Sequence, residues 1–403
     1  MIGGEDMEIR KDFPILNKDI IYLDSCATTL KPIDVINEVK DYYENYSANA
    51  HRGDYDISKI VDEKYEDVRK KVADFINADT NNIVFTSGTT HSLNLAIKGY
   101  LKNTLSKDDI VLTTKSEHAS LLLPLYDTSK EIGFKVEYMP LEEDLSLSID
   151  SVRKSIKKNV KAIVISHITN VLGDIRPIKE IIELAHKNNI IVIIDAAQSV
   201  PHTKIDVKDL DVDFLCFSSH KMLGPTGVGV LYGKSNLLEN TKPLLLGGGM
   251  NAYFDSLMNI EYKDIPHRFE AGTQNIEGVL GFGKAIDYIN KIGIENINKH
   301  EIELKEYLIE KLSKLDNITI YNKNFKNGIV TFNVDKVFAQ DVAIYLNKKN
   351  ICIRVGNHCA KVLNEVLGVK NTCRASIYIY NTKEDIDKLV DALDNKNILF
   401  ESL

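Results

Sequence analysis

Short apolar runs alternate with longer stretches of helical periodicity through the first 290 or so residues of the chain. The runs that read as β-strands are 82–86, 110–114, 135–139, 162–167, 190–194 and 214–217. Several of them are apolar without alternation, as expected for strands that are covered on both faces. This alternation of strands and helices predicts an α/β domain with a mostly parallel sheet. Ligands bind at the carboxyl ends of the strands in such open sheets, so we expect the functional side chains there.

The hydrophobic pattern changes after residue 275. It is helical to about residue 315, with an interruption at Gly293. Strand-like and helical segments then alternate: 318–321, 329–334, 339–348, 351–355, 361–367 and 375–380. This pattern is typical of a compact α+β domain of about a hundred residues. We therefore predict a large domain over 15–290 and a small domain built from 1–14 and 291–403.

Composition narrows the classes of function. The chain has 403 residues, 44% of them hydrophobic, and can bury a large core. Its net charge of -8 argues against a nucleic-acid partner, and the lysine-rich stretch 154–161 is interpreted as a solvated helix face. The five cysteines show no spacing typical of structural zinc, and their odd number indicates a reducing compartment: Cys26, Cys216, Cys352, Cys359 and Cys373. No apolar run approaches the roughly 20 residues of a membrane span, so we expect a soluble cytoplasmic protein.

The strongest chemical signal is Lys221, which lies in the segment FSSHKMLGPTG directly after the run 214–217. A lysine in this position can form a Schiff base with an aldehyde cofactor. Ser218 and His220 can donate hydrogen bonds to the phosphate of that cofactor. Pyridoxal phosphate fits this description. Most lysines are only solvated surface charges, so the rest of the chain must supply the partners that a cofactor lysine needs.

Asp195 and Gln198 follow the run 190–194. A carboxylate at that strand end could pair with the protonated pyridine nitrogen and keep the ring an electron sink. Gln198 could hydrogen-bond the phenolic oxygen. The alternative is that Asp195 caps a following helix. The presence of Lys221 favours the cofactor role.

A phosphate cradle is predicted in the segment 85–94, FTSGTTHSLN, which follows a strand and opens a helix. Its backbone N–H groups and the hydroxyls of Thr89 and Thr90 would face the phosphate, assisted by the helix dipole. The same residue types also serve as ordinary helix caps.

Two further polar residues follow predicted strands. His118 could stack on the pyridine ring and transfer protons, although a lone histidine is often structural or exposed. Asn170 could contact the phenolic oxygen or the substrate, or could serve only the backbone of a turn. Both fall at the same predicted sheet edge as Lys221.

Together these motifs resemble the class V aminotransferase family, most closely its group II (SufS-like) cysteine desulfurases and selenocysteine lyases. The resemblance covers nearly the whole chain and includes the segments RKDFPIL at 10–16, YLDSCATT at 22–29, NAHRG at 49–53, RFEAGT at 268–273 and CRASIYIYNT at 373–382. It implies the fold-type I architecture of pyridoxal-phosphate-dependent transferases, with a large α/β domain and a smaller α+β C-terminal domain.

The resemblance also implies roles for single residues. Lys221 would carry the cofactor, His118 would stack on it, and Asp195 and Gln198 would tune its ring. The phosphate would be held by Thr90, Ser218 and His220, with Thr273 reaching the phosphate of the partner subunit in a homodimer. Arg374 is the expected clamp for the substrate carboxylate, which a guanidinium can bind bidentately. The alternative for Arg374 is a surface ion pair.

Residues 354–360, RVGNHCA, resemble the active-site cysteine loop of that family. Cys359 would accept the substrate sulfur as a persulfide while alanine is released. The attacking form is the thiolate, so His358 or Arg354 would help if either lowers the pKa of Cys359. Arg354 is also predicted to bind substrate. The alternative is that Cys359 is an inert buried cysteine.

The leading hypothesis is a pyridoxal-phosphate-dependent cysteine desulfurase that acts on L-cysteine and supplies sulfur to an acceptor protein of iron–sulfur cluster assembly. The alternatives are a selenocysteine lyase, another class V aminotransferase or a non-catalytic scaffold. Four positions depart from the pattern of relatives. Tyr55 and Asn357 stand where histidine is common, His91 where an acidic residue is usual and Val362 where proline is usual.

Overall fold

The computed structural model describes residues 9–51, 53–395, 397–398 and 401. Arg52, part of one segment quoted above, lies outside these residues. The strands are β1 Ile21–Tyr22, β2 Ile83–Thr86, β3 Ile110–Thr113, β4 Lys135–Tyr138, β5 Val160–Ser166, β6 Ile191–Asp195, β7 Phe214–Ser218, β8 Gly229–Gly233, β9 Asn251–Phe254, β10 Ile260–Tyr262, β11 Ile318–Ile320, β12 Ile329–Val334, β13 Ile351–Cys352, β14 Arg354–Gly356 and β15 Thr372–Ser376.

The helices alternate with these strands. They are α1 Ile33–Asn45, α2 Asp56–Ile76, α3 Thr89–Asn94, α4 Lys102–Thr104, α5 Ala119–Ile132, α6 Ile149–Ser155, α7 Ile178–His186, α8 Val207–Leu210, α9 Ser235–Glu239, α10 Ile276–Ile292, α11 Ile294–Leu312, α12 Ala339–Asn347, α13 Lys361–Leu367 and α14 Lys383–Leu393. A π-helical segment, Leu95–Leu101, joins α3 to α4.

The main sheet has seven strands in the order β2-β8-β7-β6-β5-β3-β4. Strands β3 to β7 are parallel, and β8 is antiparallel to both β2 and β7. Because β8 reverses direction between them, β2 runs parallel to β7 and ends at the same edge. The predicted α/β fold with a mostly parallel sheet is therefore confirmed.

Helices cover both faces of this sheet. In β5, Ile163 and Ile165 belong to the same buried cluster as side chains of α1, α2 and α10, whereas Ala162 and Val164 belong to the cluster that includes the helical segment 89–104 and α5. All four side chains are fully buried. Burying an aliphatic side chain of this kind contributes about 1.5–3 kcal/mol, which explains why β5 is apolar on both faces.

A second sheet of four antiparallel strands has the order β11-β12-β15-β14. It packs with α11, α12 and α14 around a separate core that contains Leu304, Phe332, Leu346 and Leu389. This is the expected α+β unit. The domain boundaries given above stay a prediction, and residues 1–8, 396, 399–400 and 402–403 lie outside the described residues.

Three local predictions are wrong. The run 375–380 is not a strand: β15 ends at Ser376, and the Asn381 side chain accepts from Tyr378 N in the turn that follows. The run 351–355 forms two strands, because β13 pairs with β1 while β14 pairs with β15. The lysine-rich stretch 154–161 is not one helix face, because α6 ends at Ser155 and Lys161 is an outward residue of β5.

The buried ion pair between Arg69 of α2 and Glu270 generates a stability prediction. Arg69 donates to both Glu270 oxygens at 2.7 and 2.8 Å, and Glu270 also accepts from Phe85 N of β2. Arg69→Met should destabilise the protein by about 3–5 kcal/mol, because it leaves a buried carboxylate without its counter-ion. Urea unfolding followed by circular dichroism measures the loss. Lys70→Met removes the neighbouring exposed pair with Asp74 and should change little; equal effects of the two variants would contradict the prediction.

Candidate active site

A cavity of about 370 Å³ lies at the carboxyl edge of the main sheet. Most of the predicted site residues line it: Thr89, Thr90, His118, Asn170, Asp195, Gln198, Ser218, His220, Lys221 and Arg354. Cys359, Arg374 and Thr273 are not among its lining residues. The sheet topology thus brings together side chains from turns that are far apart in sequence, as expected for a parallel sheet.

Lys221 ends a short 3-10 turn, Ser219–Lys221, that follows β7 directly. Burial lowers the pKa of its ammonium group, and the Asp195 carboxylate opposes that shift. Within the described residues, the Lys221 Nζ atom has no ion-pair partner. Desolvation of this kind favours the neutral amine, which is the nucleophilic form of lysine.

Asp195 and Gln198 occupy the turn after β6. The Asp195 Oδ1 atom accepts from Ala197 N at 3.0 Å, and burial raises the pKa of the carboxyl. Residues 196–200 form a turn, so Asp195 does not cap a helix. The Gln198 Nε2 atom donates to the Cys26 carbonyl at 2.9 Å.

Two buried oxygen atoms at this cavity have no hydrogen-bond partner among the described residues: Gln198 Oε1 and Asn170 Oδ1. Buried polar atoms are ordinarily paired, so unpaired atoms in a cavity wall indicate a polar ligand. Together with the nearby hydroxyl groups and the carboxylate of Asp195, they fit the polar groups of pyridoxal phosphate.

The predicted phosphate cradle is built from two elements. Ser218 Oγ accepts from Thr89 N at 2.7 Å, which ties the end of β7 to the start of α3. Gly88, just before α3, lies against Gly229 of β8, where a Cβ on Gly229 would collide with the Gly88 backbone. Gly229, one of the two glycines that make β8 difficult to recognise from sequence, is therefore required by the close approach of the cradle turn. Thr90 Oγ1 lies 2.7 Å from Ser120 Oγ, a lining residue that the sequence analysis did not assign.

His118 is the N-cap of α5. Its Nδ1 atom accepts from Ser120 N at 3.1 Å, so the neutral ring carries its proton on Nε2. Burial lowers the pKa of His118 to about 3, and the charges of Lys221, Arg354 and Arg374 act in the same direction. The imidazole is therefore neutral at physiological pH.

A buried ion pair that the sequence analysis missed holds the turn before His118. Glu117 pairs with Arg176 and accepts from Ser166 N at 2.9 Å. Arg176 also donates to the hydroxyls of Thr114 and Ser116 at 2.9 and 2.8 Å. The sequence gives one signal for this pair, the carboxylate of Glu117 shortly after a buried strand. Its partner, Arg176, lies 59 positions further along the chain.

Cys359 lies on an exposed loop, whereas Cys26, Cys216 and Cys373 are buried. The Arg354 Nη2 atom is 3.4 Å from Cys359 Sγ. A guanidinium at this distance can donate a hydrogen bond to the sulfur atom. The His358 Nε2 atom instead bonds the Thr372 carbonyl at 3.0 Å, so of the two predicted helpers it is Arg354 that contacts the sulfur.

The cysteine loop is bonded to the edge of the main sheet. The Cys359 carbonyl accepts from Ala119 N at 2.7 Å, and the His358 carbonyl accepts from Asn170 Nδ2 at 2.8 Å. Asn357, one of the departures, accepts from Asn364 Nδ2 of α13 at 2.7 Å. His358 and Cys359 both have positive φ, a conformation that costs energy outside glycine and must be held by such contacts.

Arg374 lies on β15 opposite Arg354 of β14 and is fully buried. It donates to the Asn170 carbonyl at 2.8 Å and pairs with Asp24 at 3.2 Å. Its Nε atom has no partner among the described residues. Arg374 is therefore not a surface ion pair, but it stands behind Asn170 rather than in the cavity wall.

Thr273 lines a neighbouring cavity of about 210 Å³ that shares Ser87, His91 and Gly227 with the first. Its Oγ1 atom accepts from Asn49 Nδ2 at 3.4 Å. Its role towards a partner subunit stays a prediction.

The structure also places the other three departures from the pattern of relatives. His91 accepts from Ser87 N at 3.3 Å, Tyr55 is the exposed N-cap of α2 and Val362 lies on α13.

Comparison with known proteins adds independent information. The aminotransferase class-V family model matches residues 21–389. A protein of Halalkalibacterium halodurans named "Probable cysteine desulfurase" is 43% identical over 399 residues, 98% of each chain. The cysteine desulfurase of Haloferax volcanii is 38% identical over 97% of each chain.

Two solved structures are similar over nearly their whole length. The cysteine desulfurase CsdA (S-sulfonic acid) from Escherichia coli has a TM-score of 0.91 and 33% identity, covering 96% of this chain and 97% of the other. The apo cysteine desulfurase from Thermococcus onnurineus NA1 has a TM-score of 0.93 and 37% identity at the same coverage.

Across the described residues, no cluster of His, Cys, Asp and Glu is arranged to hold a metal ion, and none of the described helices is long and apolar enough to span a membrane.

The buried imidazole of His358 generates a pH prediction. Burial lowers the pKa of His358 to about 3, whereas an unfolded histidine titrates near 6.5. The unfolded chain therefore binds a proton between these values and the folded chain does not, so the contribution of His358 to stability is complete above pH 6.5 and declines as the pH falls. Between pH 6.5 and 5 the loss should be about 2 kcal/mol. Urea unfolding at several pH values should show a shallower decline for His358→Gln, and an unchanged pH dependence would contradict this assignment.

Proposed function

The chain belongs to the aminotransferase class-V family, and from this premise we propose that it is a cysteine desulfurase that uses pyridoxal phosphate. It would convert L-cysteine to L-alanine and take the sulfur onto Cys359 as a persulfide. Its curated relatives named cysteine desulfurase are 38–43% identical over nearly the full chain. The observation that carries the proposal is the Arg354 guanidinium at 3.4 Å from an exposed cysteine, in a loop bonded to the edge of the cofactor cavity.

The cavity residues fall into groups that suit the parts of pyridoxal phosphate. The phosphate would be held by Thr89, Thr90, Ser218 and His220, with Thr273 contributing from the partner subunit. Asp195 would pair with the ring nitrogen, Gln198 would face the phenolic oxygen and His118 would stack on the ring. When bound, the cofactor supplies an electron sink for charge that develops at the substrate Cα atom.

Lys221 and His118 would move the protons. The pKa of Lys221 is lowered by burial, so its amine can be neutral and can take the proton from the substrate Cα atom. Asp195 supplies the nearby negative charge that limits this shift. His118 is neutral with its proton on Nε2, which makes it a hydrogen-bond donor in the cavity.

The cysteine loop would carry out the sulfur transfer. The Cys359 thiolate attacks the substrate sulfur, so an S–S bond forms while the bond from that sulfur to the substrate Cβ atom breaks. The electron pair of the broken bond stays on the substrate carbon, which takes up a proton to give alanine. Arg354 contacts the Cys359 sulfur, and Arg374, whose charge is paired with Asp24, is the proposed partner of the substrate carboxylate.

The competing hypotheses differ in their need for Cys359. Selenium release or amino transfer could use Lys221 and the cofactor without this thiol. The contacts of Cys359 with Arg354 and Ala119 favour the desulfurase, because neither alternative explains an exposed cysteine held at the cavity edge. A non-catalytic scaffold would have no use for a desolvated lysine in a polar cavity.

Replacement of Cys359 tests the proposal. Cys359→Ala should lower the rate of alanine formation from L-cysteine on the order of a hundredfold or more, because the sulfur acceptor is removed. The absorbance of bound pyridoxal phosphate should remain, since Cys359 does not line the cavity. Cys352→Ala, on the neighbouring strand, is the matched control and should keep its activity. Full turnover of L-cysteine by Cys359→Ala would exclude the persulfide mechanism.

We also propose a homodimer, formed through an exposed apolar surface on the β9–β10 hairpin and the segment before it. Leu257 and Met258 are 77% and 89% exposed at the hairpin tip, and Leu245, Leu246 and Phe254 are also exposed. Exposed apolar surface of this kind marks a site of protein association.

We further propose that the persulfide sulfur passes to a cytoplasmic acceptor protein of iron–sulfur cluster assembly.

The double variant Phe254→Glu/Leu257→Glu should dissociate the dimer, because it places charges where apolar side chains would be buried. Sedimentation velocity at micromolar concentration measures the change. Phe338→Glu/Ile344→Glu alters two other exposed apolar residues outside the hairpin and should leave the dimer intact. If the hairpin variant sediments like the unmodified protein, this surface is not the interface.

A further inference from the structure

The backbone carbonyl of His220, directly before Lys221, receives an unusual number of hydrogen bonds. Thr28 Oγ1 donates at 3.0 Å, Thr29 Oγ1 at 3.1 Å, Thr29 N at 3.0 Å and Lys31 Nζ at 3.1 Å. A carbonyl oxygen has two lone pairs, so these donors exceed what it needs for pairing. All of them come from one segment, 28–31, that none of the roles proposed above involves.

The same segment holds the backbone on the other side of Lys221. Leu223 N donates to Thr29 Oγ1 at 2.8 Å. Leu223 is fully buried and has a φ of 66°, a left-handed conformation that is unfavourable for a residue with a Cβ atom. The Thr29 hydroxyl therefore bridges the residues on either side of Lys221, donating to one and accepting from the other.

The Lys31 ammonium group is held by oxygen atoms alone. Besides the His220 carbonyl, it donates to the Thr29 carbonyl and to Thr28 Oγ1. It has no ion-pair partner in the described part of the chain. Burial lowers the pKa of Lys31 to about 7. Burying an ammonium group without a carboxylate partner costs free energy. A lysine kept in such a position therefore indicates that its hydrogen bonds have a role.

We propose that Thr29 and Lys31 are positioning residues for Lys221: they fix the backbone from His220 to Leu223 and so aim the Lys221 side chain into the cavity. This positioning role rests on the proposed function, because Lys221 needs to be aimed into the cavity only if it acts on a cofactor. Without these two side chains, the His220 carbonyl would keep only the Thr28 hydroxyl and Thr29 N as donors, and Leu223 N would lose its acceptor, so the backbone around Lys221 would be held less firmly.

Two variants remove the donors with little change in side-chain shape: Thr29→Val and Lys31→Met. Thr29→Ser and Lys31→Arg are the conservative rescues. Lys305→Met is the matched control, because Lys305 is also buried, bonds only a backbone carbonyl, that of Phe325, and has a pKa lowered to about 7. It measures the effect of losing a buried lysine away from Lys221.

The first measurement is hydrogen–deuterium exchange of peptides that cover residues 217–224, made on the protein without pyridoxal phosphate. We expect about tenfold faster exchange in Thr29→Val and Lys31→Met and wild-type rates in Thr29→Ser and Lys305→Met. Wild-type exchange in both donor variants would overturn the inference, whether or not the protein binds the cofactor. Faster exchange in a protein that never develops the absorbance of lysine-bound pyridoxal phosphate would instead reject the proposed function and leave the backbone contact established.

The second measurement separates positioning from simple support of the fold. Because neither Thr29 nor Lys31 lines the cavity, kcat for L-cysteine should fall about tenfold in both donor variants while KM is nearly unchanged, with recovery in Thr29→Ser. Lys305→Met should lose stability without this change in kcat. If kcat falls equally in Lys305→Met, the effect reflects general destabilisation and the positioning role is wrong.

Discussion

The structure depends on the burial of both faces of the main sheet. Strands such as β5 and β6 are apolar along their length, so a polar side chain can be accommodated at little cost only where the strand ends. Parallel strands end at one edge, and β2 joins them there because β8 reverses the chain direction. Asp195, Ser218 and Lys221 are neighbours for this reason, although the sequence separates them.

Electrostatics at this edge follow from the same burial. Arg354 and Arg374 place positive charge in or beside the cavity, and Asp195 and Asp24 are the carboxylates close to it. Burial lowers the pKa of His118 and keeps its ring neutral, and the neighbouring positive charges act in the same direction and favour anions. A substrate carboxylate, a phosphate and a thiolate are all anions, and the proposed chemistry needs each of them.

Sequence patterns were sufficient for the buried strands and for residues placed directly after them. They failed where tertiary contacts decide: β8 begins with a glycine because Gly229 passes close to Gly88, and the β9–β10 hairpin is exposed in the single chain. The partners of Glu117 and of the His220 carbonyl are distant in sequence and carry no motif of their own. The cavity residues could therefore be predicted, whereas the contacts that orient them could not.

The cysteine loop combines two properties that ordinarily conflict. Cys359 is exposed, as the proposed transfer of sulfur to another protein requires, yet its backbone is held in a strained conformation by Ala119 N. Ala119 is the first residue of α5, and His118 is the N-cap of that helix. The contact therefore fixes the cysteine loop to the helix whose N-cap is proposed to stack on the cofactor. Exposure of the thiol is thus achieved without loop freedom, because the backbone rather than the side chain makes the contact. The Cys359 sulfur atom, which Arg354 contacts at 3.4 Å, takes no part in this anchor and stays exposed for the proposed reaction.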